Sequence, residues 1–284
     1  MTLWRLLLTP PARGAWNMAL DQAVLEHIGR GESTPTLRLY AWEPACLSLG
    51  YAQPFSDVDV NRLEARGWEV VRRITGGRAI LHTDELTYSV IAPNDEPIIA
   101  GTVLESYNRL AQALLLAVKS LELHVEMQEG KSNDNASPNP VCFEVPSTYE
   151  ITVDEKKLIG SAQSRKKEGL LQHGSLPLTG DLARICDALV YENEAARTEA
   201  SKRLLARAAT VESALGRALS WEMAAQAFIH ALEAQLGLSR SPHQVLTKRA
   251  GLSLKRGELS ESESKRTDEL VKEKYAHASW TERV

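Results

Sequence analysis

Cysteine is scarce in this 284-residue sequence: there are three, Cys46, Cys142 and Cys186, and no two of them form a C-x-x-C pair. Cysteines this few and this scattered exclude a disulfide framework and argue against a zinc site. They are typical of proteins that work in a reducing cytosol. We therefore expect a cytoplasmic protein without a bound metal.

Long apolar runs are also missing, since no stretch approaches the roughly 20 residues that a membrane-spanning helix needs. The short apolar run over residues 1–8 lacks the long hydrophobic core and the small-residue cleavage site of a signal peptide. Positive charge is not in excess either, because the net charge is −4 and the isoelectric point is near 6.0. These absences predict a protein that binds neither a membrane nor nucleic acid.

The apolar content, in contrast, is 43%, which is enough for one large globular domain with a small appendage. Strand and helix patterns alternate up to Leu176, and helical patterns dominate after Gly180. This order predicts an α/β protein with a mixed central sheet, flanking helices and a helical C-terminal part. We place one domain over residues 1–237 and a charged helical extension over residues 238–284.

Three local signals predict elements in the first half of the chain. Residues 4–8 have the composition of an edge strand, which prolines then stop. Asn17 can cap a helix that runs to about Ile28. Thr102 and Glu105 have the spacing of a capping box at the start of another helix.

Two further signals lie in the C-terminal third. Ser220 can cap a helix through Leu236, and the apolar spacing of that helix predicts that Met223, Ala227, Ala231 and Ala234 are buried. The charged run over residues 255–274 predicts a solvated terminal helix.

The first segment that points to chemistry is Arg72-Arg73-Ile-Thr-Gly76-Gly77, which leads into His82 on the next predicted strand. Two adjacent glycines let the backbone approach a ligand closely and expose its N–H groups. The arginines add charge-assisted donors that suit a phosphate or the phosphopantetheine arm of a carrier. A hairpin loop with a solvated arginine pair is the alternative, since short glycine motifs are common.

Cys142 lies at the edge of a predicted strand, directly after the polar residues 126–140, which predict a mobile loop. Cys46 and Cys186 lie inside apolar elements and are typical of inert, buried cysteines. The position of Cys142 gives it the access that a reactive cysteine needs, and an inert cysteine is the equally weighted alternative.

A third segment predicts two adjacent strands with small or polar side chains: Lys157, Gly160, Ser161, Ala162 and Gln163 on the first, and His173 and Gly174 on the second. Small residues on both faces suit a surface against which a ligand or another backbone packs tightly. An exposed edge lysine, a bulge and a buried structural histidine are the alternative interpretations.

Together these segments resemble the superfamily of lipoate–protein ligases, octanoyltransferases and biotin–protein ligases. The resemblance rests on R-R-x-T-G-G followed by His82, on K-x-x-G-S-A-Q from Lys157, and on the His-Gly pair at His173, and it covers about residues 36–237. It implies a mostly antiparallel central sheet of the class II aminoacyl-tRNA synthetase and biotin ligase type.

Within this superfamily the chain looks like the Cys–Lys octanoyltransferases that act on octanoyl acyl carrier protein. The features that carry this likeness are Val141-Cys142-Phe143, Lys157, the helix that begins with Asn17-Met-Ala-Leu-Asp21, and Lys274-Tyr275 followed by Trp280. The resemblance implies that Cys142 accepts the octanoyl group as a thioester and that Lys157 favours its thiolate.

The implied acceptor is a lysine of a lipoyl-domain protein, such as the H protein of the glycine cleavage system, as in lipoate biosynthesis. This route needs no cofactor, and we expect a monomer. The resemblance also implies contacts of the acyl group, the carrier arm or the incoming amine with Arg72, Arg73, Gly76, Gly77, His82, Gly160, Ser161, Ala162, Gln163, His173 and Gly174.

Three alternatives stay open. An ATP-dependent lipoate or octanoate ligase would form an acyl-adenylate and tolerate the loss of Cys142, but such ligases often have a third glycine where this chain has Arg78. An octanoyl amidotransferase would use the same thioester chemistry between two carrier proteins. A non-catalytic acyl-binding module would bind the chain and leave Cys142 unmodified.

Overall fold

An eight-stranded sheet lies at the centre of the computed structural model, which describes residues 3–128, 140–144, 150–238 and 254–284. The strands of this described part are β1 (Arg5–Leu8), β2 (Thr36–Tyr40), β3 (Cys46–Leu49), β4 (Glu69–Arg72), β5 (Ile80–His82), β6 (Glu85–Ala92), β7 (Glu126–Gln128), β8 (Glu150–Val153), β9 (Lys156–Lys166), β10 (Gly169–Pro177) and β11 (Lys255–Arg256). The large sheet has the order β11-β1-β2-β6-β10-β9-β8-β7, and β4-β3-β5 form a second, small sheet.

Most neighbouring strands of the large sheet are antiparallel. Only β1 runs parallel to its two neighbours, β2 and β11. The expected mixed, mostly antiparallel sheet is therefore confirmed. The edge position predicted for residues 4–8 is wrong, because the two-residue β11 from the C-terminal part pairs with the outer side of β1.

Helices cover both faces of the large sheet. They are α1 (Gly14–Gly29), α2 (Val60–Ala65), α3 (Val103–Ser120), α4 (Glu194–Arg207), α5 (Val211–Leu215), α6 (Trp221–Leu238), α7 (Glu261–Leu270) and α8 (Ala278–Thr281). Tyr88 and Val90 of β6 pack with α3 and α6, whereas Ile91 packs with α1 and the C-terminal residues. This alternation follows from the two-residue period of a strand, and it gives the sheet an apolar core on each side. No helix of the described ranges has both the length and the apolar character to cross a membrane.

Two of the predicted helix caps are confirmed. Thr102 Oγ1 accepts a hydrogen bond from Glu105 N at 3.2 Å, and the Glu105 carboxylate accepts one from Thr102 N at 2.7 Å. Ser220 Oγ accepts from Met223 N at 3.2 Å, at the start of α6. In both cases the cap is set by residues three apart in the chain, so no distant contact is needed.

The cap predicted at Asn17 is wrong, because α1 begins at Gly14 and Asn17 lies buried inside it. Its side-chain amide donates to the carbonyl oxygens of Ala12 and Ala41, both at 3.1 Å, and its Oδ1 accepts from Arg38 at 2.5 Å. The asparagine satisfies distant backbone and side-chain groups, and these tertiary bonds replace the local capping bond.

The burial predicted for two residues of α6 is also wrong. Met223 is 52% exposed and Ala234 is exposed. The burial predicted for Ala227 and Ala231 is confirmed, and Ala224 and Phe228 complete the buried face. This helix is rich in alanine on several faces, so its apolar spacing does not select one face, and packing against α3 decides.

The C-terminal charged run is not a solvated helix. α7 packs against α1, and its Glu263 and Thr267 are fully buried. Glu263 accepts two hydrogen bonds from the Arg5 guanidinium, at 2.7 and 2.8 Å, which satisfies its buried charge. The predicted domain boundary at residue 238 stays a prediction, and residues 129–139 of the predicted mobile loop lie outside the described residues.

Candidate active site

Cys142 begins a short 3-10 helix, Cys142–Glu144, that is held against the segment leading into β5. Ala79 N donates to Pro140 O at 2.9 Å, and Cys142 N donates to Ala79 O at 3.0 Å. The side chain of Gln53 adds a hydrogen bond to Pro140 O at 3.1 Å. These bonds fix the cysteine beside the residues that follow the paired glycines.

The ammonium group of Lys157 lies next to Cys142. Its side chain is 5% exposed, and Nζ donates to Cys142 O at 3.3 Å and to Glu150 Oε1 at 2.8 Å. Burial by itself lowers the pKa of Lys157, but the negative charges of Cys142 and Glu150 outweigh burial and raise that pKa. The cysteine and lysine that the sequence predicts as catalytic are thus neighbours, and the lysine carries its charge.

The other two cysteines have the surroundings of inert residues. Cys46 and Cys186 are fully buried, at 0% and 1% exposure, whereas Cys142 is half-buried. Burial, together with the nearby Glu69 carboxylate, raises the pKa of the Cys46 thiol well above its ordinary value. The expectation that these two cysteines lie inside apolar elements is confirmed.

A cavity of about 400 Å³ opens beside Cys142. Its walls include eight of the predicted substrate-binding residues: Arg73, Gly77, His82, Gly160, Ser161, Ala162, His173 and Gly174. They also include residues that the sequence did not single out, among them Met18, Tyr40, Trp42 and Thr87.

Two glycines let the sulfur and the strands come close together. A Cβ added at Gly160 would lie 3.6 Å from the Sγ of Cys142 and 3.4 Å from the Phe143 ring. A Cβ added at Gly174 would lie 2.5 Å from Gly160 O and 2.7 Å from the Tyr88 ring, which is a clash. The cysteine sulfur therefore rests against β9, and β10 approaches β9 closely only because Gly174 has no side chain.

The paired glycines form a tight loop at the cavity wall. Gly77 has φ +90°, which side chains disfavour, and its carbonyl oxygen would lie 1.9 Å from a Cβ added at Gly50. The Arg73 guanidinium spans the loop and donates to the carbonyls of Gly76 and Arg78, both at 2.8 Å. The loop is therefore rigidly braced from within the protein.

Arg73 was expected to offer donors to a phosphate, but its five N–H groups are all engaged by the protein. The remaining acceptors are Thr75 Oγ1 at 3.1 Å, Ser48 O at 2.9 Å and Ser48 Oγ at 3.1 Å. Burial lowers the pKa of Arg73 to about 10, and the charge of Cys142 opposes that fall. Arg73 thus acts as a fixed positive charge near the sulfur.

Arg72 differs from expectation, because its side chain points away from the cavity. It donates to Gly50 O at 2.8 Å and Gln53 O at 2.6 Å, and twice to Thr281 O, at 2.9 and 2.7 Å. These bonds tie the C-terminal residues to the loop after β3. The sequence places a basic residue here, but only the fold shows that backbone carbonyls use its donors.

His82 closes the cavity within a polar cluster. Its ring stacks on Trp42, with centroids 3.9 Å apart. One ring nitrogen lies 2.6 Å from Glu85 Oε1 and the other 2.8 Å from Ser48 Oγ. Because Glu85 also accepts from Ser175 Oγ at 2.8 Å, the imidazole is held in one orientation.

His173 forms the opposite polar wall. Its Nε2 lies 2.7 Å from Thr75 Oγ1, and its Nδ1 lies 3.4 Å from Asp21 Oδ2. Burial lowers the pKa of His173, although the Asp21 carboxylate acts in the opposite direction. The ring is therefore neutral at ordinary pH and links the glycine loop to α1.

Three predicted substrate-binding residues lie outside the cavity wall: Arg72, Gly76 and Gln163. Gln163 donates to Gln172 Oε1 at 2.9 Å and accepts from Ser106 Oγ of α3 at 3.3 Å, so its side chain lies on the α3 side of the sheet. The contacts of these three residues with substrate stay predictions. Within the described ranges, no group of three His, Cys, Asp or Glu side chains is placed to hold a metal ion.

Glu150 also lies close to Cys142, and it was not among the residues predicted from the sequence. It lies on β8, which pairs with the start of β9 through Thr152 and Lys157. The available signal was an acidic residue on one predicted strand and a lysine on the next, in a hairpin that also carries Asp154, Glu155 and Lys156. The register shifts between Ile151 and Thr152, so the spacing alone could not place the two charges together.

Comparisons with known proteins agree with this geometry. Residues 13–233 match the family described as the lipoyl protein ligase A/B catalytic domain. A protein of Exiguobacterium sibiricum named octanoyltransferase LipM is 41% identical over 84% of this chain and 89% of its own length. A protein of Moorella thermoacetica with the same name is 38% identical over 99% of this chain and 98% of its own length.

A solved structure supports the fold. It comes from the lipoylation system of Thermoplasma acidophilum, which comprises a bipartite lipoate protein ligase and its E2 lipoyl domain. The TM-score is 0.77 at 22% identity, over 99% of this chain and 97% of that one. The expected superfamily and the expected fold are both confirmed, and this chain belongs to the family of lipoyl protein ligase A/B catalytic domains.

Proposed function

We propose that the protein transfers an octanoyl group from octanoyl acyl carrier protein to a lysine of a lipoyl-domain protein through a thioester on Cys142. Relatives named octanoyltransferase, 38 and 41% identical over most of the chain, support this activity. One observation carries the proposal: the buried Lys157 ammonium lies 3.3 Å from Cys142 O, and Cys142 lines a cavity together with most of the predicted substrate-binding residues. We infer a cytoplasmic monomer, in keeping with the free cysteines of the described residues.

The charges around Cys142 favour its nucleophilic form. Negative charge on Cys142 contributes to the raised pKa of Lys157, so the ammonium and the sulfur interact directly. The Arg73 guanidinium adds a second positive charge that interacts with the same sulfur. The thiolate is the form of cysteine that attacks a carbonyl carbon, so the two cations prepare the residue for acyl transfer.

In the first half-reaction, the Sγ of Cys142 attacks the thioester carbonyl of the donor. A bond from Sγ to the acyl carbon forms, the bond to the carrier sulfur breaks, and the carrier thiolate takes up a proton from solvent. One thioester replaces another, so the exchange is nearly neutral in free energy and needs no ATP.

In the second half-reaction, the amine of the acceptor lysine attacks the acyl carbon. An amide bond forms, the bond to Cys142 breaks, and the proton lost by the amine passes to solvent. Cys142 N already donates to Ala79 O, so a different donor must stabilise the oxygen that becomes negative. The Lys157 ammonium, next to the cysteine, is suited to that charge.

The cavity supplies affinity for the acyl chain. Burying six or seven methylene groups contributes roughly 5 kcal/mol of gross transfer free energy, at about 0.8 kcal/mol each. One methylene more or less changes the free energy too little for sharp discrimination. Selection of eight carbons therefore depends on where the cavity closes.

The decisive experiment incubates the protein with octanoyl acyl carrier protein without ATP and measures the intact mass. We expect an octanoyl adduct that hydroxylamine removes, that is absent in Cys142→Ala and that persists in the matched control Cys186→Ala. The labelled protein should then pass the group to a lipoyl domain such as the H protein.

The other outcomes identify the alternatives. Transfer that requires ATP and survives in Cys142→Ala indicates a ligase and contradicts the proposal. An octanoylated lipoyl domain that serves as donor, while the carrier protein does not, indicates an amidotransferase. Binding of octanoyl carrier protein without any adduct indicates a non-catalytic module.

A further inference from the structure

Two cations near the glycine loop lie against one indole ring. Lys274 Nζ is 3.8 Å, and Arg283 Cζ is 4.3 Å, from the centre of the Trp280 ring. Neither cation makes an ion pair with a carboxylate in the described part of the chain. Both charges lie within 4.3 Å of one ring centre, so they repel each other, and a bound anion nearby would reduce that repulsion.

A third cation, Lys166, ends β9 on the face of the sheet that carries α1 and the C-terminal residues, because Ser164, two residues earlier, pairs with Leu171 of that apolar core. Burial, together with the charges of Lys166 and Arg283, lowers the pKa of Lys274 to about 8, although Glu26 acts in the opposite direction. The nearby Arg266 is already matched by carboxylates, including Glu26 at 2.7 Å. The positive charge of the other three residues is therefore not balanced locally.

Hydrogen bonds attach this cluster of cations to the segment that leads into Gly76 and Gly77. Trp280 Nε1 donates to Arg72 O at 2.8 Å, and Arg283 donates to Tyr51 O at 2.7 Å. Tyr51 N in turn donates to Thr75 O at 2.8 Å, immediately before Gly76. Lys274 and Arg283 thus place positive charge on the outer side of the paired-glycine loop. The inner side of the same loop lines the cavity.

The distance from the cavity suits an extended linker. A Cβ added at Gly77 would lie 4.0 Å from the Cβ of Ala162, and both residues line the cavity. Lys166 follows Ala162 by four residues on β9, which is about 13 Å along a strand. A ligand that reaches Cys142 can therefore place a second group at the cluster.

We propose that Lys166, Lys274 and Arg283 bind the phosphate group of the arm that links the octanoyl thioester to its carrier. The proposal rests on the proposed function, because it assumes a donor with a phosphopantetheine arm. Lysine and arginine are the usual ligands of phosphate, and a phosphate here relieves the repulsion between the cations. The separation along β9 leaves room for the arm between phosphate and sulfur.

The test compares three octanoyl thioesters. Octanoyl-pantetheine has no phosphate, octanoyl-phosphopantetheine has the phosphate alone, and octanoyl acyl carrier protein has the phosphate and the carrier. For each donor, the rate of acyl-enzyme formation is measured by mass spectrometry against donor concentration. The proteins are wild type and the double variant Lys166→Gln/Arg283→Gln, whose side chains are both exposed.

Two further variants complete the design. Lys167→Gln is the matched control, because it removes a 92%-exposed lysine next to the cluster. Lys274→Gln is measured separately, since this residue packs on Trp280 and donates to Gln22 at 2.8 Å. A thermal unfolding curve for each variant separates loss of binding from loss of fold.

We expect the double variant to raise the half-saturating concentration of the two phosphate-bearing donors about five- to tenfold. Octanoyl-pantetheine, the maximal rate and Lys167→Gln should all stay at wild-type values. An equal loss with all three donors, or no loss with any, overturns the proposal. A loss confined to the carrier protein assigns the cations to the carrier surface and also overturns it. If the wild-type protein accepts octanoyl from none of the three donors, the proposed function itself is contradicted. This outcome is visible without any variant.

Discussion

Two buried ion pairs lie beside the cavity, and they differ in what surrounds them. On one side Arg38 donates to Asp21 at 2.7 Å, and on the other Lys157 donates to Glu150 at 2.8 Å. The first pair has no reactive group of its own. The second includes a cation that interacts with Cys142.

The Arg38–Asp21 pair is enclosed by further hydrogen bonds. Arg38 also donates to Thr9 Oγ1 at 3.1 Å and twice to Asn17, and its guanidinium stacks 3.8 Å from the Tyr40 ring centre. Burial raises the pKa of Asp21, but Arg38 and His173 outweigh burial and lower it. This pair therefore serves to fix α1 and His173 to the sheet.

The Lys157–Glu150 pair differs because its main effect is on a neighbouring group. A buried ion pair contributes little net stability by itself, because desolvation offsets much of the attraction between its charges. Here the pair keeps an ammonium charged in a buried place, and that charge acts on a neighbouring sulfur. When the sulfur is acylated and neutral, Glu150 is the negative group that still favours the ammonium.

The largest expected effect is on stability, through Arg38→Met. This change leaves Asp21 charged and buried without its cation, which should lower the free energy of unfolding by about 3–5 kcal/mol. Chemical denaturation measures the loss, and Arg38→Met/Asp21→Asn should recover part of it. Alkylation of Cys142 in the folded variant should proceed at the wild-type rate, and a slower rate would show that the two pairs are not separate.

Among these variants, Lys157→Met should reduce the rate of the reaction most. Without the ammonium, acyl-enzyme formation should slow by about a hundredfold, the usual effect of removing one group that stabilises developing charge. Alkylation of Cys142 at neutral pH should slow as well, because the sulfur loses the positive charge next to it. Lys157→Met/Glu150→Gln controls for the unpaired carboxylate. If acylation and alkylation both proceed at wild-type rates in Lys157→Met, Lys157 does not have this role.

Glu150→Gln should have a smaller effect in the same direction. The glutamine can still accept a hydrogen bond but carries no charge, so the pKa of Lys157 should fall and acyl transfer should slow by about tenfold. Single-turnover mass measurements resolve whether formation or release of the thioester is slowed. Glu150→Asp should restore part of the rate. If the amide is as active as the carboxylate at every pH, the pair has only a structural role.

The smallest expected effect concerns His173 and pH. Its pKa is lowered from 6.5 in the folded state, so the unfolded state binds a proton more strongly. Stability should therefore fall as pH drops below 6.5, by up to about 1 kcal/mol or a few degrees in Tm between about pH 7 and pH 5. His173→Gln should flatten this dependence. An identical slope in the variant would place the titrating group elsewhere.

Much of the site could be predicted from the amino-acid sequence because the patterns that indicate it involve residues close together in the chain. Gly77 needs positive φ, Gly174 admits no side chain, and the Thr102 cap requires a partner three residues away. Such requirements depend on near neighbours and on the two- and 3.6-residue periods of strand and helix. Cys142 and Lys157 were predicted in a different way, from the resemblance of their motifs to those of the Cys–Lys octanoyltransferases, because the residues alone left an inert cysteine equally weighted.

The sequence and its family resemblance were enough to predict the mixed sheet, the paired-glycine loop, and Cys142 and Lys157 as the candidate catalytic residues. Only the tertiary structure decided that Glu150 meets Lys157, that the Arg72 donors go to the C-terminal backbone, and that α7 is docked on α1. These contacts join residues far apart in the chain. Long-range strand register and burial choose among many possible partners for a charge, and no local pattern encodes that choice.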